Sequence, residues 1–293
     1  MPWWQLSVQA DQSQLENTET ALLKLGAVSI SICDAHDEPL YEPLPGEQPL
    51  WSESIISALF DQGQDIENLY DQLLADLDQR QVATLRKEEL PDQQWERVHL
   101  DRYQPIRFGN RVWVCPSWVE PPQPDACNII LDPGVAFGTG SHATTALCLE
   151  YLDAHPPEGQ RVMDFGCGSG VLAIAATLLG ATHVDCIDID PQALQATRDN
   201  IQRNQLDMKR FSISIDAGDD QPPVDYLIAN ILSGPLIELE PLFASLTESG
   251  ATLLLSGILD TQVDKIESAY NQHFILNTAT IRDQWCRITG VRR

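Results

Sequence analysis

The segment RVMDFGCGSGVLAIAATLL, residues 161–179, holds the strongest local pattern in the chain. RVMDF predicts a buried strand, and the apolar run that ends the segment predicts a helix. The glycines of GCGSG between them allow a tight turn, a close backbone approach to a ligand and tight helix packing. Their GxGxG spacing differs from the GxGxxG of pyrophosphate-binding turns. Because such a turn can also be purely structural, its neighbours must decide whether it holds a ligand.

The chain around this segment alternates apolar strands with helices from residue 128 onward, which predicts a doubly wound α/β sheet. The predicted strands are 128–132, 161–165, 183–189, 211–215, 225–231 and 251–258. The last stretch, 273–293, predicts two strands joined by a turn near Arg282-Asp283, so that one antiparallel strand enters the sheet. A dinucleotide-binding dehydrogenase does not usually end this way, whereas Rossmann-like class I methyltransferases do. We therefore expect a seven-stranded mixed sheet with a terminal antiparallel hairpin.

The N-terminal part has a different order of elements. Residues 1–92 predict βαββαβ, the order of a small ferredoxin-like α+β domain. Its predicted strands are 3–9, 26–33, 51–60 and 82–90, and its predicted helices are 11–25 and 65–77. Residues 93–118 form a predicted connector, whose later half, IRFGNRVWVC, predicts a strand pair or an extended arm. The α/β domain then covers 119–293.

Charge is the most informative feature of the composition. The 293 residues include 18 Lys+Arg and 43 Asp+Glu, for a net charge of -25. Residues 1–92 carry 4 basic and 18 acidic side chains, which makes this part the more acidic per residue. Such a charge repels phosphate backbones and anionic membranes and attracts a basic partner. Solubility alone is the other interpretation, so a partner has to be argued separately.

The sequence gives no sign of export or of a membrane span. The longest uncharged apolar run, Val171–Ala181, has eleven residues, whereas a membrane-spanning helix needs about 20. The N-terminal MPWWQLSVQADQ lacks the basic start and apolar core of a signal peptide. The seven cysteines are scattered without zinc-ligand spacing. We therefore expect a cytoplasmic protein with reduced thiols and no metal.

Polar residues follow two of the predicted strands. Asp188 ends the second strand, 22 residues after Gly166, where an acid accepts hydrogen bonds from ribose hydroxyls. Asp190-Pro191 predicts a helix N-cap followed by proline at the first helical position. Asn230 lies at the carboxyl end of the strand IANI, where its side-chain carbonyl can accept from an amine. Solvation of a strand end or a turn is the structural alternative for Asp188 and Asn230.

A second glycine-rich stretch, LDPGVAFGTGSHATT, occupies residues 131–145. Its glycines predict a pliable loop that carries Phe137 and folds over a ligand. Ser141 is the expected cap of the following helix, whose first turn includes His142 and Thr145. We expect a structural role for His142 rather than that of a general base, because a histidine at a helix start often bonds locally.

Together these stretches resemble a known family. DPGVAFGTGSHATT, VMDFGCGSGVLAIAA, DIDP and NIL, in this order, are similar to the bacterial ribosomal protein L11 methyltransferase family. The resemblance covers essentially the whole chain. It implies a ferredoxin-like substrate-recognition domain, a linker and an S-adenosylmethionine-dependent catalytic domain. It also implies trimethylation of lysine ε-amines and of the N-terminal α-amine of L11, a basic protein of the large ribosomal subunit.

The resemblance also implies site residues. It implies cofactor contacts at Thr145, Gly166, Asp188 and Asn230. The further predicted cofactor contacts are Phe137, Gly138 and Thr139 of the loop and Gly168 of the turn, and Asn230 is also the predicted catalytic residue, as acceptor of the amine hydrogens. The expected cofactor is S-adenosyl-L-methionine, with no metal. The expected partner is the L11 substrate, without direct nucleic-acid or membrane binding, and the expected state is a monomer.

Amino-methylation of another basic protein or of nucleic acid is the alternative function. A nucleic-acid enzyme of this type usually carries NPPY-like residues and a basic face. Here the corresponding residues are Asn230-Ile231-Leu232 and the net charge is -25. A nicotinamide dehydrogenase is disfavoured by the GxGxG spacing and by the terminal hairpin.

Overall fold

A computed structural model of the chain describes residues 3–36, 51–90, 103–132, 142–218 and 221–293. The chain divides into two compact units, residues 1–102 and 103–293. The later half of the predicted connector, from residue 103 onward, therefore belongs to the second unit.

The first unit is an antiparallel sheet with helices. Its strands are β1 (Trp3–Asp11), β2 (Ser29–Asp34), β3 (Glu53–Asp61) and β4 (Arg86–Leu90), and its helices are α1 (Gln12–Lys24), α2 (Ile66–Asp76) and α3 (Gln79–Thr84). The strand order is β2-β3-β1-β4, with every neighbouring pair antiparallel. Alternate residues of β1 and β3, such as Leu6, Val8, Ile56 and Phe60, are buried because side chains alternate between the two faces of a strand. The predicted ferredoxin-like fold is confirmed.

One predicted strand in this unit is too long. Residues 82–84 form the end of α3, and β4 begins only at Arg86. Asp78 explains the difference, because its carboxylate accepts from the backbone N–H groups of Arg80 and Gln81, and Gln81 Oε1 accepts from Asp78 N–H. This capping box starts a helix and outweighs the β preference of Val82 and Thr84.

The second unit contains a small three-stranded sheet. Its strands are β5 (Ile106–Phe108), β6 (Val112–Cys115) and β7 (Cys127–Ile130). β5 and β6 are antiparallel, which confirms the predicted strand pair in the connector. β7 pairs in parallel with β6.

The large sheet of the second unit carries the α/β pattern. Its strands are β8 (Arg161–Phe165), β9 (His183–Ile187), β10 (Phe211–Ser214), β11 (Val224–Asn230), β12 (Thr247–Leu259), β13 (Phe274–Leu276), β14 (Thr280–Arg282) and β15 (Trp285–Arg292). Its helices are α4 (Ala143–Ala154), α5 (Val171–Leu178), α6 (Pro191–Arg203), α7 (Ser233–Leu246) and α8 (Val263–Tyr270). The order β10-β9-β8-β11-β12-β15-β13 contains seven strands, and short β14 pairs with β15 beside this path. β15 is antiparallel to β12, β13 and β14, so the predicted mixed sheet with its terminal hairpin is confirmed.

The prediction that residues 128–132 contribute a strand to the large sheet is wrong, because β7 belongs to the small three-stranded sheet. Asn204, the C-cap of α6, bonds to both backbone groups of Ile130 in β7. Its Oδ1 accepts from Ile130 N–H at 2.7 Å, and its Nδ2 donates to Ile130 O at 2.9 Å. A side-chain amide thus takes the place of a neighbouring strand at this edge of β7.

The order of the large sheet creates a switch point between β8 and β11. The chain runs from β8 outward through β9 and β10, and then returns to place β11 on the other side of β8. Ligands of open α/β sheets bind outside the carboxyl ends of the strands at such a point. Among the described residues, no helix has the length and apolarity that crossing a membrane requires.

The capping box can be tested by mutation. Asp78→Ala removes the acceptor of two backbone N–H groups, and we expect a loss of about 1 kcal/mol in the unfolding free energy of the first unit. Urea unfolding of the full chain, followed by circular dichroism, measures this change. Asp71→Ala, at an exposed position of α2, is the matched control. Equal stability of the two variants would contradict the role of Asp78.

Candidate active site

The turn after β8 has the backbone that its glycines predict. Gly166, Gly168 and Gly170 have φ values of 77°, 54° and 77°, in the left-handed region that favours glycine. At Gly166 a Cβ would also lie 2.2 Å from Ile231 Cγ2. Both the conformation and the close approach therefore require glycine at this position.

Side chains from the neighbouring β9–α6 segment hold this turn. Asp188 Oδ2 accepts from Gly168 N–H at 2.8 Å, and Asp188 Oδ1 accepts from Asp190 N–H at 3.0 Å. Thr197 Oγ1 donates to Gly168 O at 3.0 Å, and Asn200 Nδ2 donates to the carbonyl of Ser169 at 2.9 Å. Each Asp188 oxygen keeps a further lone pair for a ligand hydroxyl.

Asp188 and Asp190 have the separate roles that the sequence predicts. Asp190 is the N-cap of α6 and accepts from Gln192 N–H at 2.8 Å, with Pro191 at the first helical position. The predicted capping role is confirmed. Asp188 is thereby left as the acid that faces the turn.

The start of α4 differs from the prediction by one residue. The N-cap is His142 rather than Ser141, because His142 Nδ1 lies 2.7 Å from Thr144 Oγ1 and accepts from Thr144 N–H. The His142 ring also packs edge-on against Trp285, with centroids 4.9 Å apart. Burial lowers the pKa of His142. These local contacts support the structural role expected for this histidine.

Asn230 presents an acceptor at the end of β11. Its Nδ2 donates to Oγ1 of the fully buried Thr145 at 3.4 Å. Its Oδ1 is buried, and no hydrogen-bond partner for it lies among the described residues. Buried polar atoms normally have a partner, so this oxygen points to a ligand that donates a hydrogen bond.

These residues share one cavity of about 460 Å³ at the carboxyl edge. Its lining includes five predicted site residues, namely Thr145, Gly166, Gly168, Asp188 and Asn230. The predicted contacts Phe137, Gly138 and Thr139 lie outside the described residues.

The sequence reasoning missed the apolar part of this lining. These residues are Phe165, Val171, Leu172, Ile187, Ile189, Ile231, Leu232, Pro235 and Leu239. Ile189, which is 84% exposed, and Ile231 directly follow predicted site residues, so their position after a strand was a usable signal. Pro235 and Leu239 lie four residues apart on α7 and resemble ordinary core positions of an amphipathic helix.

Asp164, in β8, binds the helix that follows the same turn. It is 1% exposed, and its Oδ2 accepts from Ala173 N–H at 3.0 Å in the first turn of α5. Gly170, the N-cap of that helix, has no side chain to do so. Burial raises the pKa of Asp164, the hydrogen bond from Ala173 N–H opposes the shift, and the charge of Asp188 adds to it, so that the pKa is about 7.

The site fits S-adenosylmethionine. Its volume lies within the range of about 300–1,000 Å³ for small-molecule sites. Apolar walls suit a flat base, the Asp188 carboxylate suits ribose hydroxyls, and the Asn230 oxygen lies at the same mouth. With the strand order and the antiparallel terminal strand, these features define a class I S-adenosylmethionine-dependent methyltransferase.

The similarity of this chain to known proteins supports the same class. Residues 2–293 match the family model described as "Ribosomal protein L11 methyltransferase (PrmA)". Proteins named Ribosomal protein L11 methyltransferase from Ectopseudomonas mendocina (strain ymp) and Azotobacter vinelandii (strain DJ / ATCC BAA-1303) are each 48% identical to this chain, over 100% of both sequences. A solved structure of ribosomal protein L11 methylase from Lactobacillus delbrueckii subsp. bulgaricus is 30% identical, with a TM-score of 0.59, and the match covers 65% of this chain and 100% of that one. The chain belongs to the ribosomal protein L11 methyltransferase family.

The raised pKa of Asp164 predicts a pH dependence of stability. The folded chain holds a proton on this group up to about pH 7, whereas the ordinary value is 3.8. Between these values the folded state binds more protons than the unfolded state, so this contribution to stability falls as pH rises. We expect the unfolding free energy of the wild type, relative to Asp164→Asn, to be lower at about pH 8 than at about pH 5.

Urea unfolding at the two pH values measures this difference. Asp264→Asn, at an exposed position of α8, is the control for loss of a surface carboxylate. Parallel pH dependence of the wild type and Asp164→Asn would contradict the assignment.

Proposed function

We propose that this chain methylates amines of ribosomal protein L11, at lysine ε-amines and at the N-terminal α-amine, up to the trimethylated state. The observation that carries the proposal is the buried Asn230 Oδ1, an unpaired acceptor among the described residues, at the mouth of the cofactor cavity. The printed names of relatives that align over their full length support L11 as the substrate.

Methyl transfer to nitrogen is an in-line displacement, for which the protein supplies orientation. The bound cofactor supplies the electrophilic methyl group. The glycine-rich turn and Asp188 hold one side of the cavity, and Asn230 lies on the other side of the switch point. This arrangement leaves the amine to approach from the Asn230 side.

The acceptor amine must be neutral, although a free lysine has a pKa of about 10.4. Entry into the largely apolar cavity disfavours the charged form and promotes loss of a proton to water. Thr145 Oγ1 accepts a hydrogen bond from Asn230 Nδ2. Asn230 Oδ1 is therefore left to accept a hydrogen bond from the substrate amine and so to direct the lone pair of the amine nitrogen at the methyl group. A single hydrogen bond of this kind serves the first two transfers, because the neutral amine and its monomethyl form each carry an N–H. The neutral dimethylamine has none, so in the third transfer the apolar walls of the cavity position the nitrogen without that bond.

Charge supports a basic substrate. We propose that residues 1–92, with 18 acidic and 4 basic side chains, recognise L11, that residues 93–118 connect, and that residues 119–293 catalyse. Long-range attraction accelerates encounter with a basic protein, whereas it opposes nucleic-acid binding. We also propose a monomer that acts in the cytoplasm without direct contact to nucleic acid.

Mass spectrometry of purified L11, after incubation with this chain and S-adenosylmethionine, tests the function. We expect mass increases in whole methyl units, located by fragmentation at lysines and at the α-amine. No added mass in a preparation that binds S-adenosylhomocysteine by calorimetry would overturn the substrate assignment. Methylation of bulk RNA by the same preparation would favour the nucleic-acid alternative.

The same assay tests Asn230. Asn230→Ala removes the amine acceptor, and we expect kcat to fall by about 100-fold or more, with a smaller loss in S-adenosylhomocysteine affinity. Asn277→Ala is the matched control, because Asn277 Nδ2 also donates to a threonine hydroxyl, that of Thr289, at 3.0 Å, and Asn277 is not among the residues that line the cavity. Equal kcat for the two variants would rule out the acceptor role.

A further inference from the structure

Ser256 and Gly257 form an irregular step in β12 beside Asn230. Ser256 is the direct partner of Asn230 in the parallel β11–β12 pairing. On the other side of β12, the pairing with β15 shifts between Leu255 and Ile258. The two residues are absent from the described lining of the cavity, so any effect on the reaction acts through their neighbours.

Gly257 touches the backbone that follows Asn230. Its φ is 83°, and a Cβ at this position would lie 2.3 Å from Ile231 O, 2.8 Å from its carbonyl carbon and 3.1 Å from its nitrogen. A rotamer change relieves a clash with a flexible side chain, but backbone atoms must move together. Any side chain at residue 257 would therefore displace the Ile231 peptide and, with it, Asn230.

Ser256 reaches Asn230 by a second route. Its side chain is fully buried, and its Oγ lies 2.9 Å from Cys286 O and 3.3 Å from Thr144 O, as donor to either carbonyl. Thr144 precedes Thr145, whose hydroxyl accepts from the Asn230 amide. When the Ser256 hydroxyl donates to Thr144 O, it ties the start of α4 to the large sheet at the level of Asn230.

We propose that the Ser256-Gly257 step is a positioning element for Asn230. Gly257 lets β12 pass against the Ile231 peptide, and Ser256 contacts the backbone of Thr144, which directly precedes the threonine that orients the Asn230 amide. Together they aim the Asn230 oxygen at the acceptor amine. This inference rests on the proposed amine-acceptor role of Asn230.

The chain supplies a matched control for Gly257. Gly250 also lies in β12 and has a φ of 90°, but a Cβ there would meet no heavy atom within 4 Å. Gly250→Ala and Gly257→Ala therefore impose the same kind of backbone strain. Only Gly257→Ala adds the contact with Ile231.

The first readout is the split between turnover and cofactor affinity. We expect kcat of Gly257→Ala to fall about 10- to 100-fold below that of Gly250→Ala, since small misplacements of reacting groups cost this much. Because Asn230 and Ile231 also line the cavity, the affinity for S-adenosylhomocysteine should fall relative to the control by a smaller factor than kcat does. Equal kcat for both variants, or a loss of affinity as large as the loss of kcat, would overturn the proposal.

The second readout needs no reaction. In protein labelled with [15N]asparagine, the side-chain amide signal of Asn230 is identified by its absence in Asn230→Ala. We expect this signal to shift in Gly257→Ala and to stay in place in Gly250→Ala. An unshifted signal in Gly257→Ala would overturn the proposal even if L11 proves not to be the substrate, so the two failures are distinguishable.

Ser256→Ala decides the case if Gly257→Ala does not fold. Loss of one buried hydrogen bond should lower kcat about fivefold and shift the same amide signal. Thr247→Val is its control, because Thr247 Oγ1 also donates to a backbone carbonyl from a buried position of β12, that of Phe243 at 2.7 Å. If Ser256→Ala has the same kcat and the same Asn230 amide signal as Thr247→Val, the positioning role of Ser256 is contradicted.

Discussion

The site depends on close packing around Ile231, the residue that follows β11. A Cβ at Gly166, directly after β8, would clash with the Ile231 side chain. A Cβ at Gly257 would clash with the Ile231 backbone. The ends of three neighbouring strands are thereby held together at the switch point of the sheet. The cavity lies at this edge, with the glycine-rich turn on one side and Asn230 on the other. Without these approaches, Asn230 and the turn would not line the same cavity.

The parts of the fold that follow from local pattern were predictable. The apolar strand, glycine-rich turn and helix of residues 161–178 appear as expected, because each step is set by residues adjacent in sequence. The same holds for the Asp190 cap and the terminal antiparallel strand. Five predicted site residues also meet in one cavity, since the carboxyl ends of parallel strands share an edge.

The features that escaped prediction depend on contacts between distant residues. β7 leaves the large sheet because Asn204, 74 positions away from Ile130, occupies its backbone groups. The helix at 79–84 is the exception, because its capping residues Asp78 and Gln81 are three positions apart and their pattern was a usable local signal that outweighs the β preference of the residues that follow. Gly257 looks like any glycine in a strand until the Ile231 carbonyl is seen against it. A sequence pattern does not show which distant residues come into contact in the fold.

A crystal structure with bound S-adenosylhomocysteine tests the central claim most directly. We expect the ligand in the cavity at the switch point, with its ribose hydroxyls at the Asp188 carboxylate and Asn230 Oδ1 left open toward the incoming amine. Binding at another edge of the sheet, or an Asn230 oxygen fully engaged by the cofactor itself, would contradict it.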